Sequence, residues 1–144
     1  MLTGFHVSTE RHRMNVPWIC AQLKATYWGG WYDDLQIQRA MENSLCFGVF
    51  ADDVLDGGEI AVCGEQVAFA RVVTDKATYS SMMDVIVAEE HRNKGVGSLL
   101  VEAITKHPDV RGTINIIATQ DASLWYDRFG WRPVHGVLQR DPTP

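Results

Sequence analysis

Along the chain, short apolar runs alternate with stretches in which apolar residues recur every three or four positions. Gly4 to Val7 is a short first strand. Pro17 suits a first helical turn, where its missing N–H costs nothing. From there Ile19, Leu23 and Tyr27 recur every fourth residue, which predicts an amphipathic helix stopped by Gly29-Gly30. Asp33-Asp34 can cap a second helix with Ile37, Ala40 and Met41 inward. Leu45 to Ala51 and Val67 to Val73 read as strands. The acidic, glycine-punctuated stretch between them holds either a short strand at Glu59 to Cys63 or a long hairpin loop. Met82 to Val87 is almost continuously apolar, which predicts a strand buried on both faces.

The next helix has the clearest periodicity. Val96, Leu99, Leu100, Ala103, Ile104 and His107 mark one face, and His107-Pro108-Asp109 ends it. Ile114 to Ala118 reads as a buried strand. Asp121 can cap a short helix closed by Gly130, and Trp131 to Leu138 offers one or two final strands. The class is α/β, in a single domain over residues 1–144.

Composition narrows the function. The chain has 144 residues, 46% of them hydrophobic, enough for one core without staples. Its 13 Lys and Arg against 18 Asp and Glu give a net charge of −5. That balance argues against nucleic acid held by bulk charge and leaves room for a cationic partner. No apolar run reaches the ~18 residues of a membrane span, and the charged N-terminus is unlike a secretion signal, so the cytoplasm is expected. Cys20, Cys46 and Cys63 lack metal-ligand spacing and read as reduced, buried thiols; no metal is expected. His6, His12, His91 and His135 have no partner spacing and read as surface residues.

The segment Val85 to Leu100, VIVAEEHRNKGVGSLL, concentrates the chemistry. An apolar strand enters a loop, Arg92-Asn93-Lys94-Gly95-Val96-Gly97-Ser98, at the mouth of the long helix. Two glycines there let backbone come close to a ligand, and unpaired first-turn N–H groups favour an anion such as phosphate. Arg92 and Lys94 add positive charge. Lys94 precedes Gly95, so the Gly-Lys-Ser/Thr of a P-loop is absent. Position 100 is Leu, where the dinucleotide fingerprint needs its third glycine. A plain nucleotide-binding protein fails on those absences and on a missing acidic ribose partner.

What remains is Arg92-x-x-Gly95-x-Gly97 after an apolar strand. About thirty residues on stands Leu124-Trp125-Tyr126-Asp127-Arg128-Phe129-Gly130-Trp131, a Tyr followed four residues later by Gly and an aromatic. Together with the element order, these motifs resemble the GNAT superfamily of acetyl-CoA-dependent N-acetyltransferases over nearly the whole chain. The resemblance implies that family's α/β fold, a mixed sheet flanked by helices in the order β-α-α-β-β-β-α-β-α-β. It implies acetyl-CoA as co-substrate, with its pantetheine arm paired to the backbone of Val85, Ile86 and Val87 like an added strand. Its pyrophosphate would meet the N–H groups from Asn93 to Ser98, Val96 included. Tyr126 matches the position that often protonates the departing thiolate. Thr119 stands where many members carry Asn, with Asp121 just after, and both are candidates for the pantetheine contact.

No carboxylate falls in the Ile114–Ile117 region where some members keep a base. Asp84 is the nearest in sequence and could act through water; its other reading is an ion pair with Arg71. Loss of the amine proton to bulk water needs no base. The acceptor pocket implied by the resemblance lies at Tyr27-Trp28-Gly29-Gly30-Trp31-Tyr32. Tyr27, Trp28 and Trp31 can wall an apolar or cationic acceptor, although Tyr27 also reads as a staple onto the core. Apolar edge strands and a C-terminal hairpin suggest a homodimer. Two functions stay open: acetyl transfer to a primary amine, or a non-catalytic acyl-CoA sensor on the same fold.

Overall fold

The computed structural model describes residues 2–54, 57–58, 60–61, 64–119, 122–134 and 136–143. Helix α1 spans Val16–Lys24, with Pro17 in its first turn and the Asn15 side chain accepting from the Trp18 N–H at 3.1 Å. It stops well before the glycine pair predicted to end it. The Thr26 hydroxyl donates to the Leu23 carbonyl at 2.7 Å and accepts from the Gly29 N–H at 3.0 Å. The chain thus folds back over its own helix end, so tightly that a Cβ on Gly29 would stand 2.3 Å from the Leu23 carbonyl oxygen. Tyr27 therefore leaves the helical face and is 60% exposed, not stapled to the core. Helix α2, Asp34–Glu42, opens with a full capping box between Asp33 and Gln36 and buries Ile37 and Met41.

Strands β1 (Phe5–Ser8), β2 (Leu45–Ala51), β5 (Gln66–Thr74), β6 (Tyr79–Val87) and β7 (Ile114–Ile117) form one sheet in that order. All neighbours are antiparallel except β6 and β7. The acidic segment holds the short strand expected within Glu59 to Cys63, at Ile60–Ala61, rather than a plain loop. Its β3 (Asp53–Val54) and β4 (Ile60–Ala61) pair as a two-stranded ribbon; Cys63 lies outside the described residues. Helices α1 and α2 cover one sheet face over Ile19, Leu23, Phe50, Phe69 and Ile86. Helix α3 (Val96–Lys106) covers the other over Phe47, Val49, Val72, Leu100 and Ile104. Short helix α4 (Ser123–Asp127) sits on the same side. Cys20 and Cys46 are buried free thiols.

Two expectations fail at the β6–β7 side. β6 is not buried on both faces: Met82 and Ile86 are buried, Met83 is exposed, and Val85 and Val87 are half-buried. β7 is an edge strand with Ile114 68% exposed. The described residues after Trp131 form no strand, so the predicted final strands and hairpin are absent there. Within the same apolar run the ladder with β5 is broken. β5 offers Ala70 where β6 offers both Asp84 and Val85, between the pairs Arg71–Met83 and Phe69–Ile86. This is a β-bulge. Asp84 sits in the left-handed region at φ 55, a conformation Asp tolerates better than most residues. Its carboxylate accepts from Arg71 Nε at 2.8 Å, and Arg71 Nη1 reaches the Ser44 hydroxyl at 3.2 Å.

The turn that launches β6 is held by the side chains of Asp75 and Thr74, whose hydroxyl accepts from the Lys76 N–H at 2.9 Å and donates to the Tyr79 carbonyl at 2.8 Å. Asp75 Oδ1 accepts from the N–H groups of Ala77, Thr78 and Tyr79 at 2.9, 2.7 and 3.1 Å, and Oδ2 takes the Thr78 hydroxyl. The Thr78 hydroxyl and these backbone donors hold the Asp75 carboxyl well below its usual range. A depressed folded-state value adds stability above the unfolded value near ~3.9 and loses it as pH falls through and below that value. Thermal melts should therefore show wild type losing more stability than Asp75→Ala between pH 6 and pH 3, with the variant lower at pH 6. Parallel pH profiles would show that the turn does not depend on this carboxylate.

Candidate active site

Beyond the bulge, β6 and β7 part. The last paired residues are Met82 and Ile117, so Val85, Ile86 and Val87 have no strand on that side. Ala88 N–H donates to the Val67 carbonyl at 2.8 Å. Backbone groups alternate along a strand, so those of Val85 and Val87 point to the open edge. Arg92 Nε donates to the Val87 carbonyl at 3.1 Å, which leaves the amide groups of Val85 at the head of the gap.

The gap widens into a cleft of about 890 Å³ with four walls. The β6 edge is one, and the folded-back end of α1, Ala25 to Trp28, is a second. The third is the loop that carries His91, Arg92, Asn93, Gly95, Gly97 and Ser98; the fourth is α4 with Ala122, Trp125 and Arg128. In the loop, Asn93 at φ 60 and Gly95 at φ 86 are both left-handed. Gly95 caps α3 without any side-chain bond, so the N–H groups of the first turn keep no side-chain partner. That geometry, with Arg92 beside it, makes an anion site. No carboxylate lines the cleft among the described residues.

The two glycines do different work. A Cβ on Gly95 would meet nothing closer than Leu2 at 3.8 Å, so Gly95 is required by its positive φ. A Cβ on Gly97 would stand 3.3 Å from the indole of Trp125, with Val87 at 3.8 Å. Gly97 therefore seats Trp125 against the first turn of α3, where the sequence suggested only room for a ligand.

The cleft brings together Val85, Ile86, Val87, Arg92, Asn93, Gly95, Gly97, Ser98, Tyr27 and Trp28 of the predicted site. Lys94 is exposed outside its walls, and the Val96 side chain is buried in the core. Trp31 is 87% exposed and off the cleft. The Thr119 hydroxyl accepts from the Ala122 N–H at 3.2 Å, at the start of α4. Asp121 and His135 lie outside the described residues. Asp84 is held in the ion pair with Arg71, both side chains 12% exposed. Tyr126 is 6% exposed, packed edge-on against Trp125 and Trp131 and absent from the cleft lining. Burial pushes its phenol up to about 12.

His91 and His6 are not surface residues. His91 lines the cleft, edge-on to Phe5 at 5.7 Å, with its Nδ1 buried and unpartnered. His6 lies between Asp52 and Arg13 and stacks on Phe50, while His12 is exposed. Sequence reasoning also missed Trp125 and Arg128. Arg128 caps the short helix with helical backbone, so its spacing of three from Trp125 places both on one face, a signal available once Tyr126 is read as core.

An acetyltransferase (GNAT) domain model matches residues 48–133, from β2 through α4. The chain belongs to this family. The match takes in the open edge, the loop and α4, and leaves out α1 and α2. A Xanthomonas campestris pv. campestris structure named as a GNAT-family acetyltransferase is 35% identical, with a TM-score of 0.85 over 99% of this chain and 96% of that one. A Gibberella zeae protein named as an acetyltransferase is 27% identical over 88% of this chain and 78% of its own length. An Elizabethkingia anophelis GNAT-family acetyltransferase, solved with acetyl-CoA bound, shares the fold at a TM-score of 0.65 and 14% identity, over 92% of this chain and 79% of that one. Among the described residues no His, Cys, Asp and Glu cluster could hold a metal, and no helix is long and apolar enough to cross a membrane.

If Gly97 serves packing, Gly97→Val and Trp125→Ala should not be additive. Thermal denaturation of the double variant should show the Val penalty shrinking once the indole is gone, by on the order of 1 kcal/mol. Strict additivity would return Gly97 to a role in ligand approach alone.

Proposed function

We propose that this protein is an N-acetyltransferase that moves the acetyl group of acetyl-CoA to a primary amine by direct attack in a ternary complex. One observation carries the reading: a free β-strand edge at Val85–Val87 opens into the same cleft as an uncapped helix N-terminus beside Arg92. The first suits the amides of a pantetheine arm by strand addition. The second suits a diphosphate. Family membership supports the same pairing.

In this reading the Val85 N–H holds the thioester carbonyl and stabilises the oxyanion that develops there. The amine lone pair forms the new C–N bond as the C–S bond breaks. Tyr27 and Trp28 wall the acceptor. With Asp84 held by Arg71, the amine proton leaves through water, and Asp84 contributes by fixing the bulge.

Tyr126 packs against Trp125 outside the cleft lining, so donating its O–H to the departing sulfur requires α4 to shift when the cleft fills. Proton transfer from a phenol near 12 to a thiolate whose thiol titrates near ~8.5 is uphill by roughly 5 kcal/mol. A strong hydrogen bond is therefore its contribution, with the final proton coming from solvent. A cytoplasmic setting accords with the free thiols Cys20 and Cys46. The open edge of β7 and the exposed Val134, Val137 and Leu138 support pairing with a second copy.

The absence of a carboxylate from the described cleft lining favours a second reading, an acyl-CoA sensor without turnover. Steady-state thiol release from acetyl-CoA with a panel of primary amines separates the two. Amine-dependent release should rise with pH toward the acceptor's own pKa near ~10, since only the free base attacks. Tight CoA binding with no release for any amine would establish the sensor. Tyr126→Phe keeps the ring packing and should slow the chemical step by roughly 10- to 100-fold, the loss of one hydrogen bond to a charged sulfur, with CoA affinity unchanged. Full activity in that variant would make Tyr126 a core residue only.

A further inference from the structure

The cleft carries a second cationic centre that the diphosphate does not account for. Arg128 follows α4 directly, and its guanidinium lies over the Trp125 ring at 5.4 Å and the Phe129 ring at 5.5 Å. Its Nε donates to the Trp125 carbonyl at 3.4 Å. Among the described residues it has no carboxylate partner, and neither does Arg92. The two arginines stand on different walls. Arg92 is fastened to the β6 edge through the Val87 carbonyl, beside the mouth of α3. Arg128 stands one indole ring away, because Trp125 fills the niche over Gly97.

A guanidinium held over an aromatic face has lost much of its freedom before any ligand arrives, and its outer N–H groups remain free to fork onto an oxyanion. CoA carries two kinds of phosphate: a diphosphate, and a monoester on the ribose with close to two charges at neutral pH. The helix mouth with Arg92 suits the first. We propose that Arg128, seated on Trp125, is a separate subsite for the ribose phosphate monoester. It makes this protein select CoA over 3′-dephospho-CoA. The inference rests on the cleft being a CoA site.

Calorimetric titration of the full chain with CoA and with 3′-dephospho-CoA tests it. Wild type should bind CoA at least tenfold more tightly, a difference of about 1.4 kcal/mol. Arg128→Ala should weaken CoA by that factor and leave 3′-dephospho-CoA within twofold, so that the preference disappears. Arg128→Lys should keep part of it, since the charge survives without the fork. Arg92→Ala should weaken both nucleotides alike. A wild type without preference, or an Arg128→Ala that weakens both equally, would overturn the subsite while leaving CoA binding intact. Binding of neither nucleotide would overturn the cleft assignment, and the subsite with it.

Discussion

The bulge at Asp84 is the constraint on which the rest of the cleft depends. One extra residue in β6 shifts its register against β5, which pairs with it on both sides of the bulge, and β7 follows β6 no further than Met82. A strand that would otherwise have two partners is left with one along three residues. Its backbone groups on the free side then need a ligand or water, because polar groups withdrawn from both are costly. Arg71 holds the bulge by pairing with a carboxylate whose own backbone is left-handed. The ion pair is mostly buried, so removing either partner leaves a charge with little solvent to relieve it.

From that opening the other walls take their positions. Helix α3 starts beyond the loop that follows β6, with Gly95 turning the chain and leaving the first-turn N–H groups without a side-chain cap. Trp125 closes the side by packing on Gly97, and Thr119 and Ala122 set the start of the helix that carries it. The folded-back end of α1 supplies Tyr27 and Trp28 from the opposite sheet face. Strand edge and helix mouth lie within residues 48–133, which the family shares, whereas this aromatic wall lies outside them. In the proposed reading, that division joins a donor site within the family match to an acceptor site outside it.

Much of this was legible in the residues. Periodicity placed α3 and the capping of α2, and the Arg92–Gly97 pattern placed the loop, because each rests on local backbone chemistry. The misreadings came from long-range causes. The apolar run Met82 to Val87 suggested a strand buried on both faces; Val85 and Val87 are apolar because they wall a cleft. Tyr27 kept helical spacing past the point where the Thr26 hydroxyl ends the helix. Trp125 and Gly97 are far apart in sequence, and nothing local in either reveals that they touch. No pattern within β5 or β6 alone marks the bulge, because it depends on how the two strands register.

The placement of the indoles has a practical side. Of the five tryptophans in the chain, Trp28 and Trp125 both line the cleft, on different walls. Indole is the brightest natural fluorophore in a protein, and its emission responds to water and to charge beside the ring. Any molecule that displaces solvent beside either ring should change the light the protein emits. The chain thus carries its own occupancy gauge, readable without a label and before any substrate has been identified.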